Sequence, residues 1–241
     1  KQILSSIKQS YSMIVIPDFL YKNLHDIKGK YFKVEVEEDM VLKLDKSWRI
    51  FDDYLDALKT KYRSKINLVF RKTEKIDVRI LNNDDLKNYS LIMQNMFEQV
   101  ARESSFKGPM FNVETFRLLN NEIVNVYGYF LGDKIVAFSS EIQHNNTLYS
   151  YYTGFNKDLN KSIPIYARIL TEHIKNAIKF NVNRLVFGRT ANEFKSNFGA
   201  RPIKSFVYIR VKNRILYFFL KPLFSRLSTK DWIIRNPFKK K

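Results

Sequence analysis

A mixed α/β fold, of the α+β kind with a mostly antiparallel sheet flanked by helices, is what the sequence predicts, and three observations carry that expectation. Residues 123–153 fall into a two-residue period interrupted by the turn pairs Gly132-Asp133 and Asn145-Asn146, which marks three consecutive antiparallel strands. An amphipathic stretch from Ile163 to Phe180 then precedes the short apolar run Arg184–Phe187, so the helix crosses over and joins parallel strands. Between Ser47 and Leu119 the apolar residues recur mainly at helical steps.

In chain order, residues 1–45 alternate the apolar runs Met13–Ile16 and Tyr31–Val36 with Pro17 and Gly29, which reads as strands with a short helix between them. From Ser47 the pattern changes. Trp48, Phe51, Tyr54, Leu55 and Leu58 recur at steps of three and four, so Ser47–Ile66 reads as one amphipathic helix with Ser47 as its N-cap. Lys59, Lys61, Arg63 and Lys65 near its end suit the negative pole of the helix dipole, or alternatively a phosphate. Ile76–Leu81 reads as a strand and Asp84–Arg102 as a helix, with Leu86, Tyr89, Met93, Met96 and Val100 on one face. A shorter helix follows at Val113–Leu119, then the three strands 123–131, 134–143 and 147–153. Pro164 is tolerated in the first turn of the crossover helix. After Arg184–Phe187 come a short helix at Ala191–Asn197, ended by Phe198-Gly199, and a last strand pair around Ser205–Val211.

Composition narrows the function classes. The 241 residues carry a net charge of +18, which attracts anionic partners such as nucleic acid, phosphorylated cofactors or acidic lipid without choosing among them. There is no cysteine. Disulfides, thiolate zinc sites and cysteine nucleophiles are thereby excluded, and a reducing, cytoplasmic location is expected. His25, His144 and His173 lie far apart, so no metal is expected, and a histidine triad would need a serine and a carboxylate brought to it by the fold. No Gly-x-Gly occurs, so neither a dinucleotide fingerprint nor a glycine-rich phosphate loop is available. No apolar run reaches the ~18–20 residues of a membrane-spanning helix. The first residue is Lys1 and no signal-peptide core follows it, so the natural start is expected upstream.

The strand–helix–strand unit at 147–187 is where chemistry is expected. Free amides at the start of the crossover helix, with Lys157, Lys161, Ser162 and Arg168 around them, suit a pyrophosphate; a solvated loop capped by Ser162 explains the same residues.

Three stretches carry a resemblance. "DDYLDALKTKYRSKI", Asp52–Ile66, has a Tyr-x-x-x-Leu step leading into a Lys-Tyr-Arg end; "VFGRT", Val186–Thr190, is a strand ending in Gly-Arg-Thr; "FKSNFGARP", Phe194–Pro202, is a Phe-Lys, Phe-Gly, Pro run. Together with the order of elements, these resemble the GNAT acyltransferase superfamily and, within it, the FemAB-like branch related to the peptidoglycan-bridge peptidyltransferases. The resemblance covers roughly residues 47–213. It implies a GNAT-like sheet, a remnant of a preceding GNAT-like half in residues 1–46, and a separate tail from 214 to 241. Residues 156–164 contain no glycine, unlike the usual GNAT pyrophosphate loop, and no helical hairpin for an aminoacyl-tRNA is visible.

What the resemblance implies is N-acyl transfer from an acyl-CoA, as co-substrate, or from another activated acyl or aminoacyl donor to an amine-bearing acceptor, in a cleft between the strands ending near Thr153 and Phe187. Amides near Tyr152 and Thr153 would bind the carbonyl and the developing oxyanion. Glu141 is the candidate base, and Tyr149, Tyr151 or Tyr152 the candidate acid. Strand alternation groups Tyr152 with Ser150, or Tyr149 with Tyr151, on the cleft side. Gly188, Arg189, Lys195 and Asn197 are candidate substrate contacts, with Glu193 available to pair with one of the cations.

The tail from Arg214 holds eight basic residues and one acidic, interleaved with Tyr217, Phe218, Phe219, Phe224, Trp232 and Phe238. This suits peripheral attachment to an anionic inner membrane face, and a packed C-terminal helix is the other reading. An envelope or lipid-linked acceptor would make such attachment useful. The alternative class is a non-catalytic module on the same fold that binds an anionic ligand, membrane lipid or, less favoured, nucleic acid.

Overall fold

The computed structural model describes residues 13–17, 31–103, 110–119, 123–211, 213 and 232–239. The short helix expected between the first two strands, and residues 214–231 of the tail, lie outside the described residues. Among those described, the order is β1 (Met13–Pro17), β2 (Phe32–Lys43), α1 (Phe51–Ala57), α2 (Thr60–Lys72), β3 (Ile76–Ile80), α3 (Asn83–Glu103), α4 (Thr115–Leu119), β4 (Asn125–Leu131), β5 (Lys134–His144), β6 (Thr147–Phe155), α5 (Lys157–Ser162), α6 (Ile165–Lys179), β7 (Arg184–Gly188), α7 (Asn192–Ser196) and β8 (Arg201–Val211). The fold is mixed α/β and mostly antiparallel, as expected.

The chain forms two compact units, residues 1–39 with 203–232 and residues 40–202 with 233–241. In the first, the strand order is β1-β8-β2, with β1 antiparallel to β8 from Met13 opposite Val211 to Pro17 opposite Val207. Val34, Ile209 and Val211 form its small core, Ser205 donates to Asp39 at 2.7 Å, and the Lys33 ammonium lies 3.9 Å from the Phe206 ring centre. The strand pair expected at Ser205–Val211 is one long strand instead, because Arg201–Val211 contains no glycine, asparagine or aspartate to turn it.

In the second unit the strand order is β2-β7-β6-β5-β4-β3. The hairpins β4–β5 and β5–β6 form across the two turns read from the sequence, with Gly132, Asn145 and Asn146 all at positive φ. Each side of this sheet has its own apolar cluster. α3 contributes Leu86, Met93, Met96 and Phe97, which pack with Val126, Phe130 and Phe138. α6 contributes Ile165 and Ile169, which pack with Tyr129, Ala137 and Phe155. Each such side chain, when fully buried, is worth about 1.5–3 kcal/mol, so these two helices fix the sheet from both sides.

One expected helix is divided. Ser47–Ile66 breaks at Leu58-Lys59, where both residues are extended, into α1 and α2. The cause lies at the far end of the chain: the Lys59 amide donates to the Pro237 carbonyl, the Lys239 amide donates to Ala57, and Leu58 bridges Phe238. Ser47 is not a cap. Its amide and hydroxyl bind Asp45, while the Asp53 carboxylate accepts the Arg49 and Ile50 amides at 2.7 and 3.0 Å and is held below the usual carboxylate range by them. The crossover helix expected at Ile163–Phe180 is found as α6, Ile165–Lys179, and the segment before it, expected to be a loop, folds as α5.

Residues 233–239 are therefore docked on the larger unit. Phe238 lies against Trp48 and Tyr54, Arg201 donates to Asn236, and Arg235 pairs with Glu193 while its amide donates to the Ser196 hydroxyl. Gly199 terminates its turn at φ +91, and a Cβ on it would sit 2.3 Å from the Phe238 ring. No helix among the described residues is long and apolar enough to cross a membrane.

Gly199→Ala is expected to cost about 1–3 kcal/mol in chemical denaturation, from the positive φ and the ring clash together. In a Phe238→Ala background the same change should cost less, leaving only the backbone penalty. A pH effect follows from Tyr54, whose fully buried hydroxyl donates to the Phe198 carbonyl and whose pKa burial raises far above 10. The folded state keeps this proton when the unfolded chain has lost it, so the contribution is intact below about pH 10 and declines above it. Tyr54→Phe should flatten that alkaline decline in unfolding followed by circular dichroism.

Candidate active site

The parallel pair β6–β7 is short. It runs through Thr147–Arg184, Leu148–Leu185 and Tyr149–Val186, and ends there, while β6 continues to Phe155 and β7 to Gly188. The result is a fork whose apex is at Tyr149 and Val186. One cause is visible on the other edge of β6, where the β5–β6 register shifts between Ser139 and Glu141. The Ser140 hydroxyl fills this bulge, donating to the Tyr152 carbonyl and accepting its amide, both at 2.8 Å. Such a bulge bends and twists its strand.

The bulge also corrects the expected alternation. Ser150 meets His173 of α6, whereas Tyr151 and Tyr152 both contact Phe111 on the opposite side, where Tyr152 stacks on that ring at 4.1 Å and meets Phe97 of α3. Tyr152 and Ser150 therefore do not share a face. Burial, together with the Tyr151 hydroxyl, raises the pKa of Tyr152. Its amide, expected to bind an oxyanion, is taken by Ser140, and the Thr153 hydroxyl donates to the Phe138 carbonyl. Tyr149 remains exposed at the apex.

Glu141 does not open onto the fork. It is 1% exposed, on the α6 side, where its carboxylate receives His173 Nδ1 at 2.5 Å and the Asn176 amide at 3.0 and 3.1 Å, with the Tyr127 hydroxyl as a further donor. That carboxylate, with burial the larger cause, pushes the Tyr127 pKa well up. On its other side the His173 ring places Nε2 3.1 Å from Ser150 Oγ. A serine, a histidine and a carboxylate are thus brought together by β6, α6 and β5. In sequence Glu141 follows Ser139 and Ser140 within a strand, and His173 and Asn176 lie three apart on α6, but no spacing links the two elements. A buried carboxylate requires partners, and these are the polar side chains that the facing helix offers.

The residues expected around a pyrophosphate are committed elsewhere. Residues 157–162 fold as α5, and the amides of Leu159, Asn160, Ile163, Ile165, Tyr166 and Arg168 all bind acceptors within this segment, so most of the amides expected to be free around the helix start are engaged. Lys161 pairs with Asp158 in solvent, and Ser162 donates to the Leu159 carbonyl. Lys157 is the half-buried first residue of α5. Arg168 binds Glu172 at 2.6 Å and both oxygens of Thr73, at the end of α2.

The corner after β7 is the strained part of the fork. Gly188, Thr190 and Ala191 all have positive φ, which a β-branched threonine rarely adopts. Lys195, 3% exposed, holds it from below, donating to the Gly188 and Arg189 carbonyls at 3.1 and 2.6 Å. Its ammonium is thus spent on the backbone, not presented to an anion. Asn197 donates back to Glu193 and Phe194, closing α7, and Glu193 pairs with Arg235 of the tail. Gly188 and Arg189 are half-buried at the corner itself. A row of rings, Phe155, Tyr166, Phe194 and Phe198, runs from the end of β6 through α6 to α7, with Phe194 41% exposed.

Residues 58–196, more than half of the chain and the part that builds the fork, match the family model of the acetyltransferase (GNAT) domain. No curated protein sequence matches the chain. Among solved structures the chain is similar to FemX at 12% identity, covering 91% of this chain and 78% of that one with a TM-score of 0.59. It is similar to L-PGS from Bacillus licheniformis at 13% identity, 90% and 72% coverage and a TM-score of 0.57. The C-terminal domain of a proposed lysylphosphatidylglycerol synthetase from Agrobacterium fabrum aligns at 12% identity, 86% and 69% coverage and a TM-score of 0.55.

Lys195→Met should leave the carbonyls of the corner without their charged donor, at a cost of about 1.5–3 kcal/mol. Denaturation would read that loss, and hydrogen exchange should quicken at residues 188–191 before it does in β5.

Proposed function

The chain belongs to the GNAT acetyltransferase family, and from that premise we propose that it transfers an acyl group from an activated donor to an amine at the fork between β6 and β7. The observation that carries the reading is the early end of β6–β7 pairing within the matched region, behind a crossover helix. Strand edges that part leave backbone groups beyond Tyr149 available to a donor's carbonyl, on the side of β6 away from the Ser140 bulge. Holding donor and amine together there supplies much of the acceleration.

The donor we favour is an acyl or aminoacyl ester over acyl-CoA, since the segment 156–164 has no glycine and the amides of Leu159, Asn160, Ile165 and Tyr166 are bonded internally. The amine enters past Tyr149, Tyr151 and Tyr152, with Arg189 at the corner beside an anionic acceptor group. Likeness to FemX and L-PGS supports a FemAB-like branch and an acceptor of the cell envelope, a lipid amine or lipid-linked peptide among them. Residues 1–46 are, in this reading, what is left of a preceding GNAT-like half. Contact with an anionic membrane falls to residues 214–232, because 233–239 are docked.

Incubating the protein with acetyl-CoA, with aminoacyl esters and with a panel of peptide and lipid amines tests this by mass spectrometry of the acceptor. Amide formation from an ester donor is the expected outcome. That donor should also stabilise the fold, by about 2.7 kcal/mol at a hundredfold excess over its Kd. Neither transfer nor stabilisation with any donor would overturn the reading.

A further inference from the structure

We propose that Ser150 is an activated nucleophile, able to carry the acyl group as a serine ester, with His173 as its base and Glu141 as the group that orients the base. The inference rests on the acyl-transfer reading and deepens it. Nothing in the GNAT match or in the sequence motifs assigns these residues a common role.

Position is the first argument. Tyr149 is the last residue of β6 paired with β7, so Ser150 is the first residue beyond the apex of the fork. Its side chain is half-buried, unlike the fully buried His173 and Glu141 behind it. The nucleophile is therefore the accessible member of the three, with the base and the carboxylate buried behind it.

Geometry is the second. With Nδ1 2.5 Å from a carboxylate oxygen, the imidazole proton sits on Nδ1, which leaves the Nε2 lone pair facing Ser150 Oγ at 3.1 Å. Glu141 is itself fixed by the Asn176 amide across both of its oxygens and by the Tyr127 hydroxyl. A nucleophile in reach of a base, with the base oriented by a third and supported group, is the signature of an activated hydroxyl. A carboxylate buried this deeply to tie α6 to the sheet would need only the histidine and the amide. Nε2 of the buried ring needs a partner in any role, and the one it has is the partly exposed hydroxyl at the apex of the fork, where an acyl donor would enter.

The chemistry balances without any further reactant. Ser150 Oγ attacks the donor carbonyl carbon as its proton passes to His173 Nε2; the bond from that carbon to the leaving oxygen or sulfur breaks, and the leaving group takes the proton from His173. The amine then attacks the serine ester and gives a proton to Nε2. The ester C–O bond breaks, the amide is released, and Oγ recovers the proton.

A fluorophosphonate probe tests this independently of donor and acceptor. Oγ would form a bond to phosphorus with loss of fluoride, giving a stable adduct. Intact-mass and peptide mapping of the full chain should find one adduct, on Ser150. Ser150→Ala should fold as the parent does and take no label, and Glu141→Gln should slow labelling at least about a hundredfold. An unlabelled parent, an adduct on another residue, or unchanged labelling of Glu141→Gln overturns the proposal. Amide formation by an unlabelled parent would sink the serine ester and leave the acyl-transfer reading standing.

Discussion

Everything proposed for this protein depends on one constraint: β6 and β7 stay paired for three residue pairs and then separate. A parallel pair that continued to Phe155 and Gly188 would have satisfied its backbone internally and left nowhere for a substrate carbonyl to bind. Two features favour the separation. The Ser140 bulge bends β6 from its β5 side, and the positive φ values at Gly188, Thr190 and Ala191 turn the chain sharply at the end of β7. Unfavourable backbone of that kind persists where surrounding contacts over-determine it, and Lys195 beneath the corner is such a contact.

The same corner connects to the end of the chain. Arg235 reaches Glu193 and Ser196 on α7, and Phe238 fills the space left by the missing Cβ of Gly199 while its neighbours split α1 from α2. Residues 233–239 thus brace the helix that carries Lys195. The aromatic and basic character that read as membrane-seeking is, for this stretch, the chemistry of an intramolecular strap.

How much of this was legible varies with the range of the cause. The hairpins of β4, β5 and β6 were readable because Gly132-Asp133 and Asn145-Asn146 act locally, and the crossover helix because its apolar stripe does too. The break at Leu58-Lys59 was not, since nothing near it in sequence disfavours helix; its cause is at Pro237 and Lys239. Gly199 was readable as a helix terminator and unreadable as a seat for Phe238. At the site, Gly188, Arg189, Lys195 and Asn197 were read as substrate contacts, yet Lys195 proved to be a brace beneath the corner. Glu141 was identified as a carboxylate of interest, but the bulge that separates Ser150 from Tyr152 needs the β5 register to be seen. Without that register, the meeting of Ser150, His173 and Glu141 has no signature in the chain.

The central claim is that the fork binds an activated acyl group. Photo-crosslinking with diazirine-bearing acyl donors, one an aminoacyl ester and one an acyl-CoA, followed by peptide mapping, tests it most directly. The account predicts adducts within 149–155 and 186–190 for the ester, suppressed by the unlabelled ester. Adducts confined to other surfaces, or spread without competition, would contradict it.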